Sequence, residues 1–581
     1  MKSNKSYYLI LAILITIVFI LYVNLNRDPI QNLDDITRYG TKNRTDLNRD
    51  ASGYNGVAVS GHPLASEIGV EILKSGGNAI DAAVAISFAI CLLEPHASGL
   101  GGGGYIILHS AKTGEDIVID FRETAPSAST YEFYERFLKN NGKDLIEEFA
   151  TGGEGVAVPG EVAGLLTALE KYGTMSRSQV IQPSLDLEKS GIIITASFAK
   201  LLKKHKYRLD QFQASRDTWL NQQGELYRKG DKWHNPGFAK TLRLIAEQGM
   251  KGFYTGELAN AIVNATANAG GNLSLEDLSS YSVKIQKPVR GKYRGYDIIA
   301  APPSASGVTV IEVLQILNNF DLDALEFQSA KRWHLWAESM KLAYADKKAF
   351  LGDIDFTDVP INELCSSRYA DDRASLITFD DVISDATAGS PERDSDGNTT
   401  AIVVSDKEGN MIAVTKSLNW YFGSAVTVPD YGFVLNNHMR SFSYEKKSPN
   451  FMGASKRPVS SMTPVLVFHN DSPYMAISSP GASKIIAAVS QVICNVIDYD
   501  FDITTAVNLP RAVNYNGGKL YAERRIPESV QDELTELGHR VSISSKEFNS
   551  SYGGVQAIVI DKNGLMHGAS DPRRGGQAVA Y

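Results

Sequence analysis

The stretch DSDGNTTAIVV, Asp394 to Val404, joins a polar, glycine-containing run to an apolar, β-branched one. Two adjacent threonines, Thr399 and Thr400, stand at the junction. Ala401–Val404 and Met411–Val414 flank the turn signal DKEGN, which predicts a β-hairpin. In that hairpin Thr399 falls opposite Ser417, each nine residues from Glu408, with Cβ atoms about 4.5–5.5 Å apart. A threonine hydroxyl is a weak nucleophile at neutral pH and needs a base. The residue's own α-amine, with a pKa near ~8, supplies one only if the chain begins there. Breaking the bond between Asn398 and Thr399 would create that arrangement, with the Asn398 carbonyl as the group attacked. A plain strand start is the other reading of the same two threonines.

The chain has 581 residues, 43% hydrophobic and 21% charged, which suits a globular protein with a sizeable core. A formal net charge of −8 leaves no basic stripe, so nucleic acid is not expected as a partner. Cys91, Cys365 and Cys494 match neither a disulfide framework nor a zinc site and read as buried thiols. No metal or cofactor is expected. Tyr7–Val23 (YYLILAILITIVFILYV) is apolar enough for a membrane helix at the short end of the range. Lys2 and Lys5 precede it and no small-x-small cleavage site follows. Residues 1–25 therefore read as an uncleaved signal anchor with a cytoplasmic N-terminus. Residues 26–55 read as a polar spacer. Everything beyond is expected outside the cytoplasm, in the periplasm or at the cell surface.

The remainder reads as α/β. Leu64–Leu73, Ala79–Leu93 and Ala330–Phe350 carry helical patterns, the second apolar nearly all round and so buried. Tyr105–His109 and Asp116–Asp120 read as strands, and Ser375–Asn398 as a loop. The glycine run GLGGGG, Gly99–Gly104, formally fits the dinucleotide fingerprint. It follows a helix and precedes a strand, the reverse of what that fingerprint requires. Close packing against another segment and the wall of a ligand site remain as its two readings.

Eleven stretches, in order, resemble the γ-glutamyltransferase (glutathione hydrolase) family: SGHPLASEIGVEILKSGGNAIDAAVA, EPHASGLGGGG, DFRETAP, VAVPGEVAG, PPSASG, NTTAIVVSDKEGN, FGS, LNNHM, RPVSSMTP, SSPGAS and ASDPRRGG. They cover nearly everything from Gly56 to Tyr581. The resemblance implies an N-terminal-nucleophile hydrolase, an αββα sandwich made as one precursor that cuts itself. Residues 56–398 would form the large chain and residues 399–581 the small one. It implies Thr399 as nucleophile, Ser417 as its hydroxyl partner, and Gly481 and Ala482 as oxyanion-hole positions. Relatives commonly show Gly-Gly there; backbone N–H groups do this work, so Ala482 is tolerable if its φ is not required to be positive. Arg122 would grip the substrate α-carboxylate, Ser460 and Ser461 would add hydrogen bonds to it, and Asn419 would contact the polar end of the substrate. Arg122 paired with Glu123 at the surface is the plainer alternative.

One motif departs from the family. Relatives that use glutathione read N-N-Q/E-M/L-x-D-F, whereas this chain reads Asn436-Asn437-His438-Met439-Arg440-Ser441-Phe442. Ser441 stands where an aspartate would pair with the substrate's α-ammonium. Losing one partner of a desolvated charge pair costs roughly 2–5 kcal/mol, so free glutathione is expected to be a poor donor unless another acid substitutes. Poly-γ-glutamate, whose internal amines are amides, and glutaryl groups, which lack the amine, become alternative substrates. His438 reads as a packed or rim residue. The short stretch Ser443–Lys456 leaves little room for a lid. An anchored, self-cleaved scaffold without activity is the non-enzymatic reading.

Overall fold

The computed structural model describes residues 49–135, 149–384, 386, 397–515 and 518–581. The segment Tyr7–Val23 lies outside the described residues. Among those described, no helix is long and apolar enough to cross a membrane.

Two seven-stranded antiparallel sheets face each other. The first runs Gln577–Ala580, Gly56–Ser60, Gly397–Asp406, Met411–Trp420, Gly103–Ser110, Glu115–Asp120 and Lys284–Gln286. The second runs Asp50–Gly53, Met566–Ser570, Gln556–Ile560, Ser472–Ser478, Val465–His469, Tyr296–Ala300 and Val289–Tyr293. The polar spacer expected to reach Asn55 therefore ends earlier. Asp50–Gly53 (DASG) has no alternating apolar pattern to announce a strand. Its ladder to Met566–Ser570 holds it, and the preceding Arg49 Nη1 donates to the carbonyls of Arg574 and Gly576, both at 2.9 Å.

Strand alternation assigns the two faces of the first sheet. Ile402, Val404, Ile412 and Val414 enter the core shared with the helices Pro63–Lys74 and Ala79–Leu93. All fifteen residues of Ala79–Leu93 are buried, and Asn78 caps it by accepting from the Ile80 and Asp81 amides. On the opposite face Thr415 meets the second sheet, its Oγ1 2.7 Å from Ser478 Oγ. The outer side of the second sheet is covered by the wholly buried helix Gly307–Leu317, against which Ala330–Phe350 packs. The order helix, sheet, sheet, helix is the expected αββα sandwich.

The glycine run is resolved in favour of close packing. A Cβ on Gly101 would come within 2.2 Å of the Val434 carbonyl, one on Gly102 within 2.3 Å of the Ser417 carbonyl, and one on Gly104 within 2.2 Å of the Thr415 carbonyl. Gly102 and Gly104 thus lie directly against the strand that carries Ser417, and Gly101 against the backbone at Val434 and Leu435.

Candidate active site

Thr399 and Ser417 are cross-strand partners, as the hairpin reading required. Both are nearly buried, and Thr399 Oγ1 lies 3.5 Å from Ser417 Oγ. By strand parity they share the Thr415 face, at the end of the space between the sheets. The pairing slips by one residue between Asn398 and Thr399: Asn398 pairs with Asn419, Thr399 with Ser417, and Leu418 is the extra residue. Such a bulge re-aims the side chains beside it. Asn419 follows at φ 76°, a left-handed conformation that asparagine tolerates better than most residues. Its amide donates to Ser417 Oγ at 2.8 Å.

From there a chain of contacts leads through the His438 segment to Arg122. Asn419 Nδ2 donates to the Asn437 carbonyl at 3.1 Å. The next residue, His438, is buried with Nδ1 2.8 Å from Glu123 Oε1. Burial, with the charge of Arg122 nearby, holds its pKa down at about 4 despite Glu123, so the ring is neutral at pH 7. Glu123 Oε2 lies 3.1 Å from Arg122 Nη1, and Arg122 Nε donates to the Pro458 carbonyl at 3.2 Å. Arg122 is 1% exposed, so the surface ion-pair alternative fails while the pairing itself stands. With Nε and Nη1 engaged, Nη2 has no hydrogen-bond partner among the described residues and remains able to donate. Ser460 follows two residues after Pro458; its Oγ accepts from the Met462 amide at 3.0 Å and its carbonyl accepts from Ser306. Ser461 is half-buried beside it.

Ser441 ends a short turn, His438–Ser441, and is half-buried. Arg440, just before it, lays its guanidinium 3.7 Å from the centroid of the Trp420 ring. The stretch Ser443–Lys456 closes on itself, with the Met452 amide donating to Ser443 O and the Ser443 amide to Asn450 O. Asn450 then ties two site segments together: Nδ2 donates to the Ser441 carbonyl at 2.8 Å and Oδ1 accepts from the Val459 amide at 2.9 Å.

The turn Ala482–Lys484 packs against the strand Gly397–Asp406, which carries Thr399. Gly481 has φ 140° and Ala482 has φ 52°. The condition set for an unstrained alanine, a φ that need not be positive, is therefore not met. A left-handed alanine brings its Cβ against the following carbonyl, at about 1–2 kcal/mol. The turn keeps that shape because the Lys484 amide closes it onto Gly481 O and the Ser483 carbonyl accepts from Tyr344.

Three contributors escaped sequence reasoning, and a fourth, Glu123, was named only as a partner of Arg122. Arg574 Nη1 donates to the Thr399 carbonyl at 3.2 Å. Glu94 Oε2 accepts from Thr400 Oγ1 at 3.0 Å, on the helix side of the strand; burial raises its pKa against the pull of Arg574 and Thr400. Asn450 and Glu123 make the links given above. Arg574, Glu94 and Glu123 lie inside recognisable motifs, but only the folded chain shows what they touch. Beneath Ser417, the wholly buried Lys416 ion-pairs with Glu161, donates to Ser87 O at 2.8 Å and sits 3.2 Å from Cys91 Sγ. Cys91 is the buried thiol expected, its pKa pushed up by burial to about 12. Among the described residues all three cysteines are free.

The arrangement places a threonine hydroxyl and a serine hydroxyl at a bulged strand start, with a strained turn packed on the same strand and, through the contacts above, a buried arginine with a spare N–H. The family model for gamma-glutamyltranspeptidase matches residues 65–581. The glutathione hydrolase proenzyme of Bacillus subtilis strain 168 is 37% identical over 546 residues, covering 91% of this chain and 92% of the relative. The acylase ACY 1 proenzyme of Pseudomonas sp. strain V22 is 36% identical, covering 92% and 94%. Among solved structures, cephalosporin acylase from Bacillus halodurans superposes with a TM-score of 0.85 at 27% identity, covering 93% of this chain and 98% of that one. The gamma-glutamyltranspeptidase of Helicobacter pylori gives 0.53 at 41% identity over 56% of this chain and 92% of that one. With a family model matching nearly the whole described chain and relatives above 30% identity over nine-tenths of it, this chain belongs to the gamma-glutamyltranspeptidase family.

Proposed function

We propose that the chain is a self-processing acyl-transfer enzyme that cuts itself between Asn398 and Thr399 and then cleaves γ-linked amides through an acyl-enzyme on Thr399. Residues 56–398 become the large chain and residues 399–581 the small one. The observation that carries this reading is the Thr399–Ser417 pair at a bulge that falls on the bond to be cut. In processing, the Thr399 hydroxyl attacks the Asn398 carbonyl, the Thr399 nitrogen leaves as a free amine, and water hydrolyses the resulting ester, which frees the Thr399 hydroxyl and leaves Asn398 with a terminal carboxylate. In turnover, that amine takes the hydroxyl proton as the oxygen attacks the substrate carbonyl. Ser417, fixed by the Asn419 amide, orients the hydroxyl. The backbone N–H groups of Gly481 and Ala482 receive the oxyanion. The protonated amine then passes its proton to the leaving amine, and water or an acceptor amine releases the acyl group. Arg122 binds the distal carboxylate by Nη2, aided by Ser460 and Ser461, and Asn419 meets the polar end.

Two donor classes fit: γ-glutamyl amides such as glutathione, and acyl groups without a free α-ammonium, namely glutaryl amides or internal units of poly-γ-glutamate. The second is favoured by the charges at the substrate end. Ser441 carries none, Arg440 is positive, and Glu123 is engaged by Arg122 and His438. The test compares kcat/KM for a γ-glutamyl anilide, its N-acylated analogue, a glutaryl anilide and short poly-γ-glutamate. Comparable values for the free and blocked amines support the second class, and a strong preference for the free amine supports the first. We further infer that residues 1–25 anchor the chain and that catalysis occurs outside the cytoplasm, a reading supported by the unbroken apolar run after Lys5. A reporter fused after Tyr581 should be exported with the chain held in the membrane fraction; a soluble cytoplasmic product contradicts the anchor.

A further inference from the structure

Away from this site, a second polar cluster lies between the helix Ala330–Phe350 and the turn before the strand Arg540–Ile543. His334 and Glu338, one turn apart on the helix, share a face with Lys341. His539 approaches from the turn. All four are buried. One ligand atom from each of His334, Glu338 and His539 lies within 4.8 Å of the others.

The hydrogen bonds fix where the protons sit. His334 Nε2 lies 2.7 Å from the Thr378 carbonyl, which can only accept, so that nitrogen carries the proton and Nδ1 is a lone pair. His539 Nε2 lies 2.8 Å from that lone pair and must therefore donate. In the neutral ring that burial favours, this leaves His539 Nδ1 bare. It has no hydrogen-bond partner among the described residues and stands 3.9 Å from Glu338 Oε1. Lys341 Nζ does not fill the gap, because its three donors go to the two Glu338 oxygens at 2.8 and 2.9 Å and to Ile383 O at 2.8 Å. Two electron-pair donors thus face each other across a buried gap with no proton between them. A zinc ion with bonds of about 2.0–2.2 Å to nitrogen and oxygen holds ligand atoms roughly 3.4 Å apart in tetrahedral geometry. The gap is wider by about half an ångström, a shift that side-chain rotation supplies.

We propose that His539, Glu338 and His334 form a binding site for a divalent cation of the zinc class. His539 Nδ1 and Glu338 Oε1 are the first two ligands. His334 is the third once it gives up its bond to His539. Lys341 is a built-in competitor, an ammonium already seated on the carboxylate the cation needs. The site spans the sequence: His334 and Glu338 precede Thr399 and His539 follows it. If the self-cleavage reading holds, a bound cation cross-links the large and small chains, and the backbone at Thr378 and Ile383 ties the end of the large chain to the same cluster.

Binding itself is independent of that reading and is tested on the uncleaved Thr399→Ala protein, free of tags and stripped with chelator. Titration with zinc is followed by calorimetry and by the thermal midpoint. The expected result is one zinc per chain with a raised midpoint, reversed by chelator. His539→Ala and Glu338→Gln should each weaken binding at least tenfold, and Lys341→Met, which removes the competitor, should tighten it at least tenfold. Cobalt substitution of the unmutated chain adds a readout that needs no folded variant: it should give the intense visible absorption of a tetrahedral, nitrogen-ligated ion. Absence of stoichiometric zinc, unchanged affinity in His539→Ala and Glu338→Gln, or an octahedral hydrated cobalt spectrum overturns the proposal.

Discussion

Thr399 and Ser417 face each other across the first sheet with hydroxyl oxygens 3.5 Å apart, and the register slips by one residue at the bond joining Thr399 to Asn398. A regular ladder would keep that peptide bond locked in pairing. The bulge puts an extra residue, Leu418, on the facing strand, so Asn398 and Thr399 both stay paired while the regular geometry is broken at the bond between them.

The left-handed alanine gives the first prediction. Ala482→Gly should raise stability by up to about 1 kcal/mol, because relief of the φ 52° strain exceeds the added entropy of the unfolded chain. Urea unfolding measures it. A loss of stability would show that the alanine methyl makes contacts worth more than the strain.

Arg122 touches the substrate carboxylate and not the reacting carbonyl in this account. Arg122→Ala should therefore raise KM by two to three decades while kcat falls far less, the pattern of lost uniform binding at a buried charge. Steady-state kinetics on a γ-glutamyl anilide decide it. A fall in kcat at unchanged KM would place the arginine in the chemistry instead.

Ser441→Asp should favour a free α-amine over its acylated analogue by a decade or more in kcat/KM, the lower edge of a desolvated charge pair. An unchanged ratio would mean that residue 441 does not meet the amine end of the substrate.

How far the sequence was legible depends on what kind of information a residue carries. The hairpin at Glu408 was readable because alternation and a turn signal are local, and Thr399 opposite Ser417 follows by counting. The helix Ala79–Leu93 was readable from its unbroken apolar composition. The φ of Ala482 was not, because it is set by the closure of a turn, the Lys484 amide onto Gly481 O, that Tyr344 clamps from a distant helix. The strand Asp50–Gly53 was not, because DASG has no pattern and borrows its order from a partner more than five hundred residues away. Asn450 and Glu94 look like any loop or helix-end polar residue until their partners are known.

The C-terminal DPRRGG motif carries a pH prediction. Burial alone would raise the pKa of Asp571, but Arg511 and Arg573 pull it well below the usual carboxylate range. Glu523, against Arg573, Arg525 and Arg511, is likewise lowered. Folded-state pKa values below the unfolded ones give stability that is fully present above the unfolded values, near ~4, and lost as pH falls through the folded ones. Asp571→Asn should cost about 3–5 kcal/mol at pH 7, since it strands buried arginines, and the deficit should shrink steadily below about pH 4. Denaturation at a series of pH values checks this; a deficit constant down to pH 2 would contradict it.

The central claim is that Thr399 cuts the chain before it serves as nucleophile, and N-terminal sequencing of the purified protein tests it most directly. The account predicts two fragments, the smaller beginning Thr-Thr-Ala-Ile-Val at Thr399, and a Thr399→Ala chain that stays whole and inactive because both steps use one hydroxyl. A single uncut chain with full activity, or a small fragment beginning at any other residue, would contradict it.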